Sequence, residues 1–206
     1  LANGDIKDST RILDKDEDLL YSFYKDYNRI YVPLEDIPET LRNATIAIED
    51  KNFYSNQGFS VTGTVRGLVL DPIFKGRASG GTTITQQLVK NALLSPERSA
   101  TRKLKEVILA VQVDSKYTID EILEMYLNNI PYGGTAVGIE AASQTYFGKS
   151  ANDLDLAESA FLAGLPQSPS VYSPFTGDTY YVGRTEAVLN QMVDEKYITK
   201  EQKETA

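Results

Sequence analysis

Thr118 and Glu121 stand at the head of a run in which Ile119, Ile122, Leu123, Tyr126 and Leu127 recur at helical spacing. A hydroxyl followed three residues later by a carboxylate is a capping box, which closes two backbone donors that a helix start leaves open. The apolar residues behind it mark one face for burial. This pattern commits the chain to helices that pack by one face. Leu41, Ala44, Thr45 and Ile48 form a second such stripe after Pro33 and Pro38, and it delivers Glu49 and Asp50 at the helix C-terminal end. A carboxylate there meets the negative end of the helix dipole, a placement that suits a raised pKa. A helix is expected to begin near Thr82 or Thr83, after Gly76, Gly80 and Gly81. Another is expected from Thr101, with Leu104, Val107, Ile108 and Val111 as its buried stripe. Further helices fit 135–147, 153–164 and 180–195, the second of these stopped by Gly164 and Pro166. Residues 10–24 read instead as a short hairpin with an acidic turn. The fold class is mainly α with a small N-terminal β-hairpin.

The 206 residues suffice for one domain with a real core, or for two small lobes sharing one. No apolar run approaches the ~20 residues a membrane helix needs, and the first residues are polar, so any anchor is expected upstream. The chain has no Cys and no His. Thiolate chemistry, disulfides, Cys-based zinc and imidazole catalysis are therefore excluded, and acid–base work must use carboxylates, Lys, Tyr or hydroxyls. The net charge of -8 argues against a general nucleic-acid binder. Between Lys75 and Lys105, however, seven basic residues face Glu97 alone. Such a segment suits an anionic ligand such as a phosphate; composition leaves a solvated basic face as an equal reading.

Four blocks carry chemistry. The first is Glu49-Asp50-Lys51-Asn52-Phe53-Tyr54 through Gly58, followed by Gly63 and Arg66. The second runs Gly80-Gly81-Thr82-Thr83-Ile84-Thr85-Gln86-Gln87-Leu88-Val89-Lys90-Asn91. The third is Arg102-Lys103-Leu104-Lys105-Glu106, and the fourth runs from Glu121 to Asn128. On a helix, Gln86 shares a face with Lys90, and Thr83 with Gln87 and Asn91. Their hydroxyls and amides offer donors to sugar hydroxyls or phosphate oxygens. Arg98, Arg102 and Glu106 fall on one stripe if the helix begins early enough, either as a surface ladder or as a phosphate-binding wall.

In this order the blocks resemble the peptidoglycan glycosyltransferase family, the polymerase half of bifunctional penicillin-binding proteins. The likeness continues through Tyr146-Phe147-Gly148-Lys149 and from Ala163 to Pro174. It implies a lysozyme-like domain of two lobes, head and jaw, with a cleft between them. We expect a linker and hairpin over 1–30, the catalytic domain over 31–180, and a helical segment over 181–206 leading to a further region.

The resemblance implies that Glu49 deprotonates the 4-hydroxyl of the acceptor sugar. That oxygen attacks the anomeric carbon of a glycan chain carried on polyprenyl pyrophosphate, with inversion to a β-1,4 bond. Glu106 holds basic side chains or assists the departing group, while Lys90 and Arg98, with Arg66 nearby, offset pyrophosphate charge. Thr82, Thr83, Gln86, Gln87, Asn91, Arg102 and Lys103 complete the implied substrate wall. Its partners are lipid II, the growing strand, the membrane surface on the extracytoplasmic side and other cell-wall proteins. No cofactor is required, and a divalent cation beside the pyrophosphate is compatible with the scheme. Asn56, Thr82 and Ile119 depart from family positions where histidine, serine and lysine are usual. The rival readings are a glycan-cleaving lysozyme-like enzyme and a non-catalytic lipid-pyrophosphate or glycan binder. The apolar run from Val65 to Lys75 is read as a membrane-dipping edge through Leu70, Ile73 and Phe74, with Lys75 and Arg77 meeting headgroups, or else as a core helix.

Overall fold

The computed structural model describes residues 9–13, 15, 19–23, 27–55, 82–93 and 100–206. Strands β1 (Thr10–Leu13) and β2 (Leu19–Phe23) pair antiparallel, with Thr10 opposite Phe23, as the hairpin reading requires. Helix α1 spans Glu39–Glu49 and buries Leu41, Ala44, Thr45, Ile46 and Ala47. Pro38 is its N-cap residue, and Glu39 sits in the first turn against the positive end of the dipole. Helices α2 (Ile84–Leu93), α3 (Ala100–Lys116) and α4 (Ile119–Asn129) follow. The capping box of α4 forms in full, with both the Thr118 side chain and the Glu121 side chain engaged.

A second hairpin, absent from the sequence reading, joins β3 (Pro131–Gly133) to β4 (Ala136–Val137). The expected helix over 135–147 therefore starts later, as α5 (Ile139–Phe147). Gly133 and Gly134 both adopt positive φ and make the turn, where a side chain would strain the backbone. Beyond α5 lie α6 (Leu156–Gly164), the short α7 (Pro169–Tyr172), α8 (Tyr180–Asp194) and α9 (Lys200–Thr205). The boundary expected after residue 180 falls at the first turn of α8.

Two packing groups share one buried cluster. Helix α1 lies on α6 and α8, while α2 lies on α3 and α4. Leu41, Ile46, Leu88, Leu123, Leu127, Leu162, Val188 and Met192 all belong to that cluster. The stripe expected on α3 is wrong where it can be checked. Ile108 and Val111 are exposed at 49% and 42%, while Glu106, Ala110 and Val113 are buried. Helix α3 is rotated so that the face carrying Glu106 meets its neighbours; the side chains of Leu104 and Val107 lie outside the described residues. Periodicity finds a stripe, but a stripe offset by one residue can satisfy the same pattern.

The fourth block is a latch. Asn128 accepts a hydrogen bond from Val32 N at 2.9 Å and donates to Val32 O at 2.8 Å and Glu124 O at 2.9 Å. Glu124 accepts from Leu34 N at 2.8 Å and from the Tyr31 hydroxyl. These bonds fix the segment leading into α1 against α4. Among the described residues no helix is long and apolar enough to cross a membrane.

Candidate active site

Glu49 closes α1, and its side chain is 8% exposed. Gln87 Nε2 donates to Glu49 Oε2 at 2.7 Å. The Tyr126 hydroxyl in turn donates to Gln87 Oε1 at 3.3 Å. The acceptor-only carboxylate requires the amide nitrogen, which turns the amide oxygen toward Tyr126, and the tyrosine hydroxyl holds it there by donating. Arg184, from α8, brings Nη2 to 3.7 Å from Glu49 Oε1. That is ion-pair range but beyond a hydrogen bond, and Oε1 accepts none from the described residues.

Burial pushes the Glu49 carboxyl above the usual glutamate range. The Gln87 hydrogen bond and the Arg184 charge pull it back, and Asp50 pushes it up again. Tyr126 and Tyr132 are fully buried, and burial together with the Glu49 charge drives both hydroxyls up, so they stay neutral.

Asp50, the neighbouring carboxylate, has other work. Its Oδ2 accepts from Ile84 N at 3.3 Å, while Thr83 Oγ1 accepts from Gln86 N at 3.2 Å. Together they satisfy two of the open donors at the start of α2 and place negative charge at the positive end of its dipole. The first and second blocks thus meet, among the described residues, through side-chain contacts that include Asp50 to Ile84 and Gln87 to Glu49.

The remaining expected site residues divide. Thr82, Lys90 and Asn91 are exposed, and Asn91 Nδ2 donates to Gln87 O at 2.9 Å. Spacing places Gln86 on one face with Lys90, yet Gln86 is fully buried and its Nε2 has no hydrogen-bond partner among the described residues. Their shared face is buried in the first turn of α2 and emerges at the last. Glu106 is buried and ion-paired with the partly exposed Lys103, while Arg102 is half-buried beside them. Arg66, Arg98, Asn56, the glycines at 80 and 81, and the apolar run 65–75 lie outside the described residues. No three carboxylates converge among the described residues in a way that would hold a metal ion. A separate groove of about 460 Å³, lined by Tyr146, Phe147, Phe161, Tyr181 and Leu189, contains none of these site residues.

Sequence reasoning missed Tyr126 and Arg184 as site residues. Tyrosine at a stripe position otherwise held by Ile and Leu was the available sign for Tyr126, since a buried hydroxyl requires a partner. Nothing in the spacing singles out Arg184.

This arrangement defines a class of site, a buried carboxylate held by the amide of a polar helix and approached by an arginine. The family model described as Transglycosylase matches residues 16–193, and the chain belongs to that family, the peptidoglycan glycosyltransferases. It is similar to Penicillin-binding protein 1A of Neisseria flavescens, 43% identical over 183 residues covering 89% of this chain and 23% of that protein. Penicillin-binding protein 1A of Clostridium tetani is 44% identical over 199 residues, covering 92% of this chain and 25% of the relative. The chain thus spans about a quarter of the length of these relatives. The 2.6 Å crystal structure of Penicillin-Binding Protein 1A from Haemophilus influenzae matches with a TM-score of 0.53 at 29% identity, over 96% of this chain and 20% of that one. The likeness carries the mainly α fold over nearly the whole chain.

Proposed function

We propose that this domain polymerises lipid II into β-1,4-linked glycan strands, with Glu49 as the general base. The observation that carries the reading is the Glu49 carboxylate itself: buried, raised in pKa, and oriented through Gln87 of the family's polar helix. A base works best when its pKa lies near the operating pH, and burial moves a glutamate in that direction.

In the reaction, Glu49 takes the proton of the acceptor 4-hydroxyl as that oxygen bonds to the anomeric carbon of the growing strand. The bond from that carbon to the pyrophosphate oxygen breaks, and the polyprenyl pyrophosphate leaves with the electron pair. Attack opposite the leaving group inverts the α-linkage to β. Lys90 on the exposed end of α2, with Arg66 and Arg98, offsets the charge on the departing pyrophosphate. In this reading Glu106, ion-paired with Lys103, keeps that cation available to the departing pyrophosphate, and Arg102 is the neighbouring cation. Thr82 and Asn91, which are exposed, belong to the substrate wall of this reading, and the buried Thr83 and Gln86 support it from behind. Its setting is the outer face of the bacterial membrane, where lipid II and the growing strand are presented.

Glu49→Gln keeps the shape and removes the basicity. Polymerisation of lipid II by this variant falls by ~10²–10⁴, the usual share of general-base catalysis, with substrate binding little changed. Near-normal polymerisation would remove Glu49 from the mechanism.

A further inference from the structure

Arg184 lies on α8, a helix that the sequence reading set almost wholly outside the catalytic domain. Three contacts fix its side chain, which is 13% exposed. Nε donates to Gly164 O at 3.0 Å, where α6 ends. The guanidinium lies over the Tyr172 ring, 5.5 Å from the centroid, a cation–π distance. The remaining arm points at Glu49. A long, rotamer-rich side chain held from both sides delivers its charge to one place, and the entropy of ordering it is already lost in the fold.

Gly164 makes this route available. It is not among the glycines with positive φ, so backbone freedom does not explain it. A Cβ built there would meet Arg184 Cγ at 2.9 Å and Val188 Cγ2 at 3.5 Å. The missing side chain is the space through which the arginine stem passes. Helix α6 does end at Gly164, as the spacing predicts, and the same glycine leaves room for the arginine stem.

We propose that Arg184 is a positioning residue for the base, holding Glu49 ionised and aimed, and that Gly164 is small so that Arg184 can reach it. The proposal rests on the reading of Glu49 as general base and adds α8 to the catalytic unit. Among the described residues, four ionisable groups bear on Glu49: Arg184 from α8, Asp50 beyond its own helix end, Tyr126 from α4 and Tyr132 from β3. Both tyrosines stay neutral and Asp50 is an anion, so among the described residues Arg184 supplies the positive charge that acts on the carboxylate. Burial opposes ionisation of Glu49, and Arg184 with Gln87 opposes burial. The sign follows. Removing the arginine charge raises the carboxyl further, so the active ionised form appears only at higher pH.

The experiment is the pH–rate profile of lipid II polymerisation for Arg184→Met, Arg184→Lys and Gly164→Ala, with the thermal midpoint measured for each. In Arg184→Met the acid limb moves to higher pH by about one unit or more, the usual effect of one opposite charge at this range. The rate recovers on the alkaline side, and KM stays near the wild-type value. Arg184→Lys keeps a charge on a shorter reach, and its limb lies between those of wild type and Arg184→Met. Gly164→Ala leaves every charge in place and displaces only the arginine stem, so its limb moves in the same direction by less. An unmoved acid limb in folded Arg184→Met, whatever the loss of rate or stability, overturns the proposal and leaves Arg184 a structural tie. Should Arg184→Met not fold, Gly164→Ala decides by the same limb. Full activity in Glu49→Gln would instead overturn the underlying assignment of the base, so the two failures are distinguishable.

Discussion

Gln87 connects a core tyrosine to Glu49, the proposed base, and the chain Tyr126–Gln87–Glu49 can be dissected by a double-mutant cycle. Gln87→Leu removes a 2.7 Å hydrogen bond to an ionised carboxylate. Bonds to charged groups contribute about 1.5–3 kcal/mol, which corresponds to a rate loss of about tenfold to a hundredfold at neutral pH. Tyr126→Phe removes a neutral bond of 3.3 Å. At the low end of ~0.5–1.5 kcal/mol, its rate loss is about two- to fivefold. If Tyr126 acts through Gln87, its effect on rate vanishes once Gln87 is leucine, so the double variant matches Gln87→Leu. Stability follows the opposite logic. Leucine at 87 leaves the buried Tyr126 hydroxyl unpaired, at about 1–3 kcal/mol, and Tyr126→Phe relieves that cost. The double variant is therefore more stable than Gln87→Leu alone. The assays are initial polymerisation rates with lipid II and urea unfolding of the four proteins. Multiplicative rate effects, with Tyr126→Phe costing the same factor in both backgrounds, would refute the relay.

Two further outcomes rest on named contacts. Because Glu49 is raised in the fold, the native state holds its proton over a window where the unfolded chain has lost it, and the stability contributed by the protonated form is lost as pH rises through that window. Glu49→Gln consequently melts at or above the wild-type temperature at neutral pH and loses that advantage below the ordinary glutamate range; calorimetry at the two pH values decides, and a lower neutral-pH midpoint contradicts the assignment of net desolvation. Asn128→Ala leaves Val32 N and Val32 O without their side-chain partners, a loss of about 2–4 kcal/mol that denaturant unfolding reads directly.

The sequence by itself determined the class of fold and the place of Glu49, the proposed base, at a helix end. Capping at Thr118 and Glu121, the stripes on α1 and α4, and the N-terminal hairpin are local, and their physics is complete within about ten residues of chain. Glu49 at a helix end and the polar face of the second block were equally legible, because spacing alone puts Thr83, Gln87 and Asn91 on one side. Three things were decided only in three dimensions. The rotation of α3 is set by which face its neighbours cover, so Ile108 and Val111 turned outward and Glu106 inward. Gln86 and Lys90 share a helical face yet differ in burial, because packing covers only part of that face. The charge on Glu49 depends on Gln87 and Arg184, which stand 38 and 135 positions away along the chain. Electrostatics acts through space and falls with distance in ångströms, whereas a sequence pattern records separation in residues. The packing of α1, α6 and α8 converts the one into the other.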